Sequence, residues 1–186
     1  ECNIQYALDS DSDRYVAIEI NPRLSRSSAL ASKATGYPLA YMSAKIGLGY
    51  NLSELVNSIT KSTTACFEPS LDYIVCKHPR WDFSKFELAN RKLGVTMKSV
   101  GEVMAVGRTF EESLQKAIRM LDIGNDGLVL NRTNGKKYTE EEIEYQLSHH
   151  DDQILYNVAI ALKMGISVNR IYKLSAIDPW FIEKIQ

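Results

Sequence analysis

Long apolar runs, a surplus of charge of either sign and paired cysteines are all missing from this sequence of 186 residues. Each absence removes a class of function. No apolar stretch approaches the ~20 residues that a membrane-spanning helix requires, and the N-terminus shows no basic segment followed by an apolar one, as a secretory signal would. We therefore expect no membrane partner. Lys and Arg total 22 against 23 Asp and Glu, a formal net charge of -1, so no global field draws the chain to nucleic acid, although a local cationic cluster can still hold a small anion. Cys2, Cys66 and Cys76 form no CxxC pair and leave an odd count. That argues against a disulfide framework and for a reducing compartment with plain buried thiols. The dinucleotide fingerprint and the Walker phosphate loop are absent too; Gly101 to Gly107, G-E-V-M-A-V-G, reads as a short strand.

What is present is ordinary globular composition, 45% apolar and 24% charged, in a chain long enough for one good core or two small ones. The chain opens on Glu1 inside a strand-like run, and its last helical pattern reaches Gln186 without a stop signal, so we expect a segment of a longer protein. Tyr15 to Pro38 concentrates its chemistry. Val16, Ile18 and Ile20 alternate with Ala17, Glu19 and Asn21, so a strand puts the aliphatics on one face, as core, and Glu19 with Asn21 on the other. Pro22 ends the strand, and Arg23, Arg26 and Lys33 follow on a Ser- and Ala-rich run that turns helical.

Asn3 to Leu8 reads as the partner strand, Asp9 to Asp13 as a polar turn and Arg14 to Ile20 as the returning strand of an antiparallel hairpin. A turn centred near residue 12 sets Gln5 opposite Glu19. Gln5, Glu19 and Asn21 are then three hard oxygen donors suited to magnesium or manganese, or an ordinary exposed polar face. Asp9, Asp11 and Asp13 imitate the opening of a calcium loop, but its sixth position is Arg14 instead of Gly and its twelfth Ile20 instead of Glu, so a solvated turn is expected. A helix N-terminus near Arg26 to Ser28, with the guanidinium groups of Arg23 and Arg26, makes either a phosphate or bicarbonate cradle or a simple Ser27 cap with arginines paired to nearby carboxylates.

Gly36 closes that helix, and Pro38 opens a second, which runs through Leu48 to a stop at Gly49. Ser53 is expected to cap a short helix to Ile59. A strand Y-I-V-C-K ends at Lys77, and His78-Pro79-Arg80-Trp81 marks a turn in which His78 is structural. Thr109 with Glu112 is a capping box opening a helix to about Leu121. Beyond it Gly124 to Gly127 and Asn134-Gly135 are turns, and Thr139 with Glu142, the run Ile154 to Leu162 ending at Gly165, Ser167 and Asp178-Pro179 mark helices. His149-His150-Asp151-Asp152 lacks the i, i+4 spacing of a helical metal pair and reads as a helix-end charge cluster. These elements give an α+β class, with a domain boundary near Ile123.

The runs E-I-N-P-R-L-S-R-S-S-A-L-A-S-K-A-T-G-Y-P, T-T-A-C-F-E-P-S-L-D-Y, K-H-P-R-W-D-F-S-K-F and M-K-S-V-G-E-V-M-A-V-G-R-T-F-E-E-S-L-Q-K-A closely resemble the large (synthetase) subunit family of carbamoyl-phosphate synthase. The resemblance is dense to Asp122 and looser beyond. It implies that residues 1–122 are the C-terminal part of the carboxyphosphate-forming ATP-grasp domain, an antiparallel sheet with helices, and that 123–186 begin an all-helical oligomerization domain. It implies that Gln5, Glu19 and Asn21 bind Mg2+ or Mn2+ bridging the phosphates of ATP, with Gln5 and Glu19 also lining the nucleotide site and K+ an optional further ion. Arg23 and Arg26 would hold bicarbonate or the developing carboxyphosphate. The implied partners are a glutaminase subunit or domain, the remaining halves of the large subunit and further copies, in the cytoplasm or the mitochondrion, in arginine or pyrimidine synthesis. Another ATP-grasp ligase of biotin-carboxylase type, or a non-catalytic assembly or regulatory module, are the alternatives.

Overall fold

A computed structural model of the chain describes residues 1–9, 11–86, 88–94, 96–129 and 137–186, the side chain of Ser84 excepted. The expected turn at Asn134-Gly135 lies outside them. The described residues are mixed α and β, with two separate two-stranded antiparallel sheets, and they divide into two compact units, Glu1–Asp72 and Tyr73–Gln186. This division does not coincide with the boundary expected near Ile123.

The first unit opens with the hairpin of β1 (Asn3–Leu8) and β2 (Tyr15–Asn21). Its loop is tied by Asp9: the backbone N–H donates to the Arg14 carbonyl at 2.9 Å, and the carboxylate accepts from the Asp11 N–H and the Ser12 hydroxyl. Those donors, the Asp11 N–H foremost, hold this exposed carboxyl below its ordinary pKa, as in an Asx-type turn. The register pairs Ile4 with Ile20 and Gln5 with Glu19, as expected, and then slips between Gln5 and Tyr6, so that Tyr6 faces Ala17 and Ala7 faces Val16. Ile18 is the extra residue of a bulge, which breaks the period-two face that Val16, Ile18 and Ile20 were expected to share. The expected core face is not covered either: Ile18, Ile20, Tyr6 and Leu8 are all exposed.

Helix α1 (Arg26–Thr35) begins at Ser25 and closes on Gly36, whose φ of +67° is the left-handed conformation that ends helices at low cost. Helix α2 (Leu39–Gly47) follows Pro38, and its buried Met42 meets Leu55 and Ala65, with Tyr37 packed alongside and donating its hydroxyl to the Ala65 carbonyl at 2.7 Å. The helix expected from Ser53 to Ile59 is only a single 3-10 turn, Leu52–Glu54, capped by Asn51. A bridge between Val56 and Thr64 extends the backbone there, and Asn57 Oδ1 accepts from the N–H groups of Ile59 and Thr60, so side-chain bonds displace the helix.

In the second unit β3 (Ile74–Arg80) pairs in unbroken register with β4 (Gly101–Gly107). His78, Pro79 and Arg80 therefore lie in a strand and not in the expected turn; Pro79 is tolerated because a two-stranded ribbon leaves a free edge for a residue that cannot donate. Helix α3 (Phe110–Met120) packs on both strands. Its cap Thr109 accepts from the Glu112 N–H, and the Glu112 carboxylate reaches back to the Arg108 N–H at 2.7 Å. A Cβ at position 107 would sit 2.9 Å from the Ser113 backbone nitrogen, so only Gly107 permits this tight strand-to-helix turn. Among the described residues four helices follow: α4 (Glu140–Ser148), α5 (Ile154–Lys163), α6 (Val168–Ser175) and α7 (Pro179–Ile185). They enclose Ile143, Leu147, Val158, Ala161, Ile171 and Ile182, while Leu114 and Ile118 of α3 pack with Leu128 and, from the helical part, Leu155 and Ile185.

The thiols depart from expectation. Cys2 and Cys66 are exposed; only Cys76 is half-buried, and burial raises its pKa.

Candidate functional site

The site is assembled by one strand pair and the turn that leaves it. Cross-strand partners point to the same side of a sheet, so the pairs Gln5/Glu19 and Asn3/Asn21 put four oxygen-bearing side chains on one face of the hairpin end. Asn3 was missed by sequence reasoning, although the register that sets Gln5 against Glu19 also requires Asn3 against Asn21. Gln5 and Glu19 are open to solvent and Asn21 is half-buried.

The chain turns sharply at Pro22, where the Arg23 N–H donates to the Asn21 carbonyl at 2.8 Å. Three residues therefore separate the last oxygen donor from the helix cap. The Arg23 guanidinium donates to the Leu24 carbonyl at 3.2 Å. Arg26 is the first residue of α1, and both arginines are exposed. Ser25, not Ser27, is the cap, in a reciprocal pair with Ser28. Among the described residues neither Arg23 nor Arg26 is in an ion pair with a carboxylate, contrary to the bland alternative. Lys33 stands at the far end of α1, about 10 Å along the axis from Arg26, and belongs to the last turn.

The donor set fits a hard divalent cation by its chemistry, one carboxylate and neutral amide oxygens, and among the described residues the Glu19 carboxylate is in no ion pair. It is not a cluster of acids: among the described residues no group of three or more His, Cys, Asp or Glu stands where it could hold a metal. At the other end of the chain His149 caps α4 and stacks on Tyr145 at 3.9 Å, and Asp152 pairs with Arg91, as a helix-end cluster should. An apolar groove of about 420 Å³ beside α2, lined by Tyr37, Leu39, Met42 and Ile46, involves none of the candidate ligands. Among the described residues no helix is long and apolar enough to cross a membrane.

The hairpin end with its four oxygen-bearing side chains leads directly into Arg23 and Arg26, and comparison with known proteins gives the chain a class. Residues 1–55 match the family described as the carbamoyl-phosphate synthase L chain, ATP binding domain. Residues 102–186 match the carbamoyl-phosphate synthetase large chain, oligomerisation domain. The whole chain is similar to the carbamoyl phosphate synthase large chains of Archaeoglobus fulgidus, 56% identical over 99% of this chain and 17% of that protein, and Sulfurisphaera tokodaii, 53% identical over 100% and 18%. The mitochondrial arginine-specific large chain of Neurospora crassa is 57% identical over 100% of this chain and 15% of its own length. The chain belongs to the carbamoyl-phosphate synthase large-chain family. It spans less than a fifth of the relatives it matches.

Proposed function

We propose that this chain supplies one wall of the site at which an ATP-dependent ligase phosphorylates bicarbonate to carboxyphosphate, on the way to carbamoyl phosphate from bicarbonate, glutamine-derived ammonia and two ATP. The hairpin register carries the reading: it sets Gln5 opposite Glu19 and leads through Asn21 directly into Arg23 and Arg26. In this reading residues 1–122 are the C-terminal part of the ATP-grasp domain, and Gln5, Glu19 and Asn21 hold Mg2+ or Mn2+, with Asn3 beside them. The bound ion supplies neutralisation of phosphate oxygen charge. Arg23 and Arg26 bind the planar anion through paired N–H donors, orient its nucleophilic oxygen and balance the charge of the product. Phosphoryl transfer asks for little more than such positioning and charge stabilisation.

An assembly role for residues 123–186, against further copies or the remaining halves of the large subunit, is supported by the family description that covers 102–186. A glutaminase partner completes the ammonia supply. The isolated 186-residue chain, with one wall of the site, is expected to be inactive. In the complete polypeptide Glu19→Gln, which keeps shape and removes charge, is expected to abolish bicarbonate-dependent ATP hydrolysis. A variant with near-normal hydrolysis would sink the metal assignment.

A further inference from the structure

The start of α1 breaks two habits of protein helices. Helix N-termini favour acidic side chains and disfavour cations, yet α1 has no acid in its first turn and begins with Arg26, three residues after Arg23. The reciprocal cap normally places Glu or Gln at its third position, and the chain does so where it uses the device elsewhere, at Asn51/Glu54 and Thr139/Glu142. At α1 both partners are serines. The Ser25 N–H donates to Ser28 Oγ at 3.1 Å, the Ser28 N–H donates to Ser25 Oγ at 3.2 Å, and the two hydroxyls are 3.2 Å apart. Ser28 is the buried residue of this helix, 5% exposed, so a polar side chain occupies the place where α1 meets the protein most closely.

We propose that Ser25 and Ser28 are positioning residues that start α1 without a carboxylate, and so keep the guanidinium groups of Arg23 and Arg26 available to an external anion. The inference rests on the reading of those arginines as bicarbonate ligands. An Asp at the cap or a Glu at its third position would serve the same backbone donors, but an acid within a turn of two arginines would pair with them and occupy the site from within. A neutral two-way cap gives the same helix start with no internal competitor, a device of specificity as much as of stability.

The test separates cap from charge in the complete polypeptide. Ser25→Asp is as good a cap as Ser or better, so its melting temperature should equal or exceed that of the parent. Its KM for bicarbonate in bicarbonate-dependent ATP hydrolysis should rise about tenfold or more, while its KM for ATP stays within about twofold. Ser25→Thr, a neutral cap, should behave as the parent in all three readouts. A Ser25→Asp protein with the parental bicarbonate KM overturns the proposal, as does an equal rise in both KM values with a lowered melting temperature, which would mark a purely structural role. Arg26→Ala measured alongside keeps the two ideas apart: if it too leaves bicarbonate kinetics unchanged, the arginine reading itself fails and this proposal with it; if it impairs them while Ser25→Asp does not, the serine proposal alone is wrong.

Discussion

Arg91 should matter to the second unit well beyond an ordinary surface ion pair. Its Nε and Nη2 donate to the two carboxylate oxygens of Asp152 at 2.8 and 2.5 Å, a fork-on-fork geometry that raises the guanidinium pKa, the Asp152 bond being the main cause. The two ends differ: the Asp152 side chain is only 8% exposed and that of Arg91 53%. Exposed pairs contribute about 0.2–1 kcal/mol, whereas removing one partner from a buried pair costs about 3–5 kcal/mol because a charge is left stranded. Here the stranded group after Arg91→Ala is the buried carboxylate, still served by Gln153 Nε2 at 2.8 Å, so a loss of about 2 kcal/mol is expected. The neighbouring tie, from the Leu93 N–H to the His150 carbonyl at 2.8 Å, should survive at reduced occupancy. Both tryptophans of the chain, Trp81 and Trp180, fall in this unit, so urea unfolding followed by intrinsic fluorescence reads it selectively. Arg91→Ala, Asp152→Asn and the double variant form a cycle whose coupling term should be about 1–2 kcal/mol. A coupling near zero, with Arg91→Ala costing under about 0.5 kcal/mol, would refute the claim that the half-buried pair fastens the 88–94 segment to the turn before α5.

In the same assay Ile182→Ala, at a fully buried position in the core of α4 to α7, is expected to cost about 2–5 kcal/mol; a loss below about 1 kcal/mol would show that α7 is not part of that core. The pH dependence of this unit should carry the signature of His78, whose pKa is lowered below its usual 6.5 chiefly by burial, against the contact with the Pro79 carbonyl. The neutral ring is thus favoured by folding, so its contribution is present above about pH 6.5 and is lost as pH falls through the lowered folded value. Melts between pH 7.5 and 5 should fall with acidification, and His78→Gln should flatten that part of the curve. An unchanged slope would clear His78 of the effect, since the lowered carboxyls of Glu111, Glu112 and Glu144 release their share only at more acid pH.

Local chemistry was the legible part of this fold. The helix starts at Thr109, Thr139, Ser167 and Asp178 each show a side chain accepting from the first turn, because a cap is decided by residues three positions apart. Gly36 and the closing of α1 are of the same kind. The misreadings came where longer-range pairing overrode local signals. His78-Pro79-Arg80 has the composition of a turn, yet the register with Gly101 to Val103 extends it. Leu52 to Ile59 has a cap residue and helix formers, yet the Val56/Thr64 bridge takes the backbone elsewhere. The exposed Cys2 and Cys66 failed a compositional rule that says nothing about any one thiol.

The candidate site shows the same division, with a further step. Alternation alone placed Glu19 and Asn21 on one face, and the turn length placed Gln5 across from Glu19. The bulge at Ile18 was not legible, since no Gly or special residue marks it, and it matters because it sits directly after the Gln5/Glu19 pair. Past the slip the hairpin turns Tyr6 toward Tyr15, in edge contact at 5.7 Å, while the four oxygen-bearing residues keep the undisturbed register at the open end beside Pro22. The strand is thus regular where the four oxygen-bearing residues share a face and irregular past the Gln5/Glu19 pair. A period-two reading of Val16, Ile18 and Ile20 as one core stripe fails because Ile18 is itself the extra residue between Val16 and Ile20, whereas Gln5, Glu19 and Asn21 share a face because all three lie on one side of it.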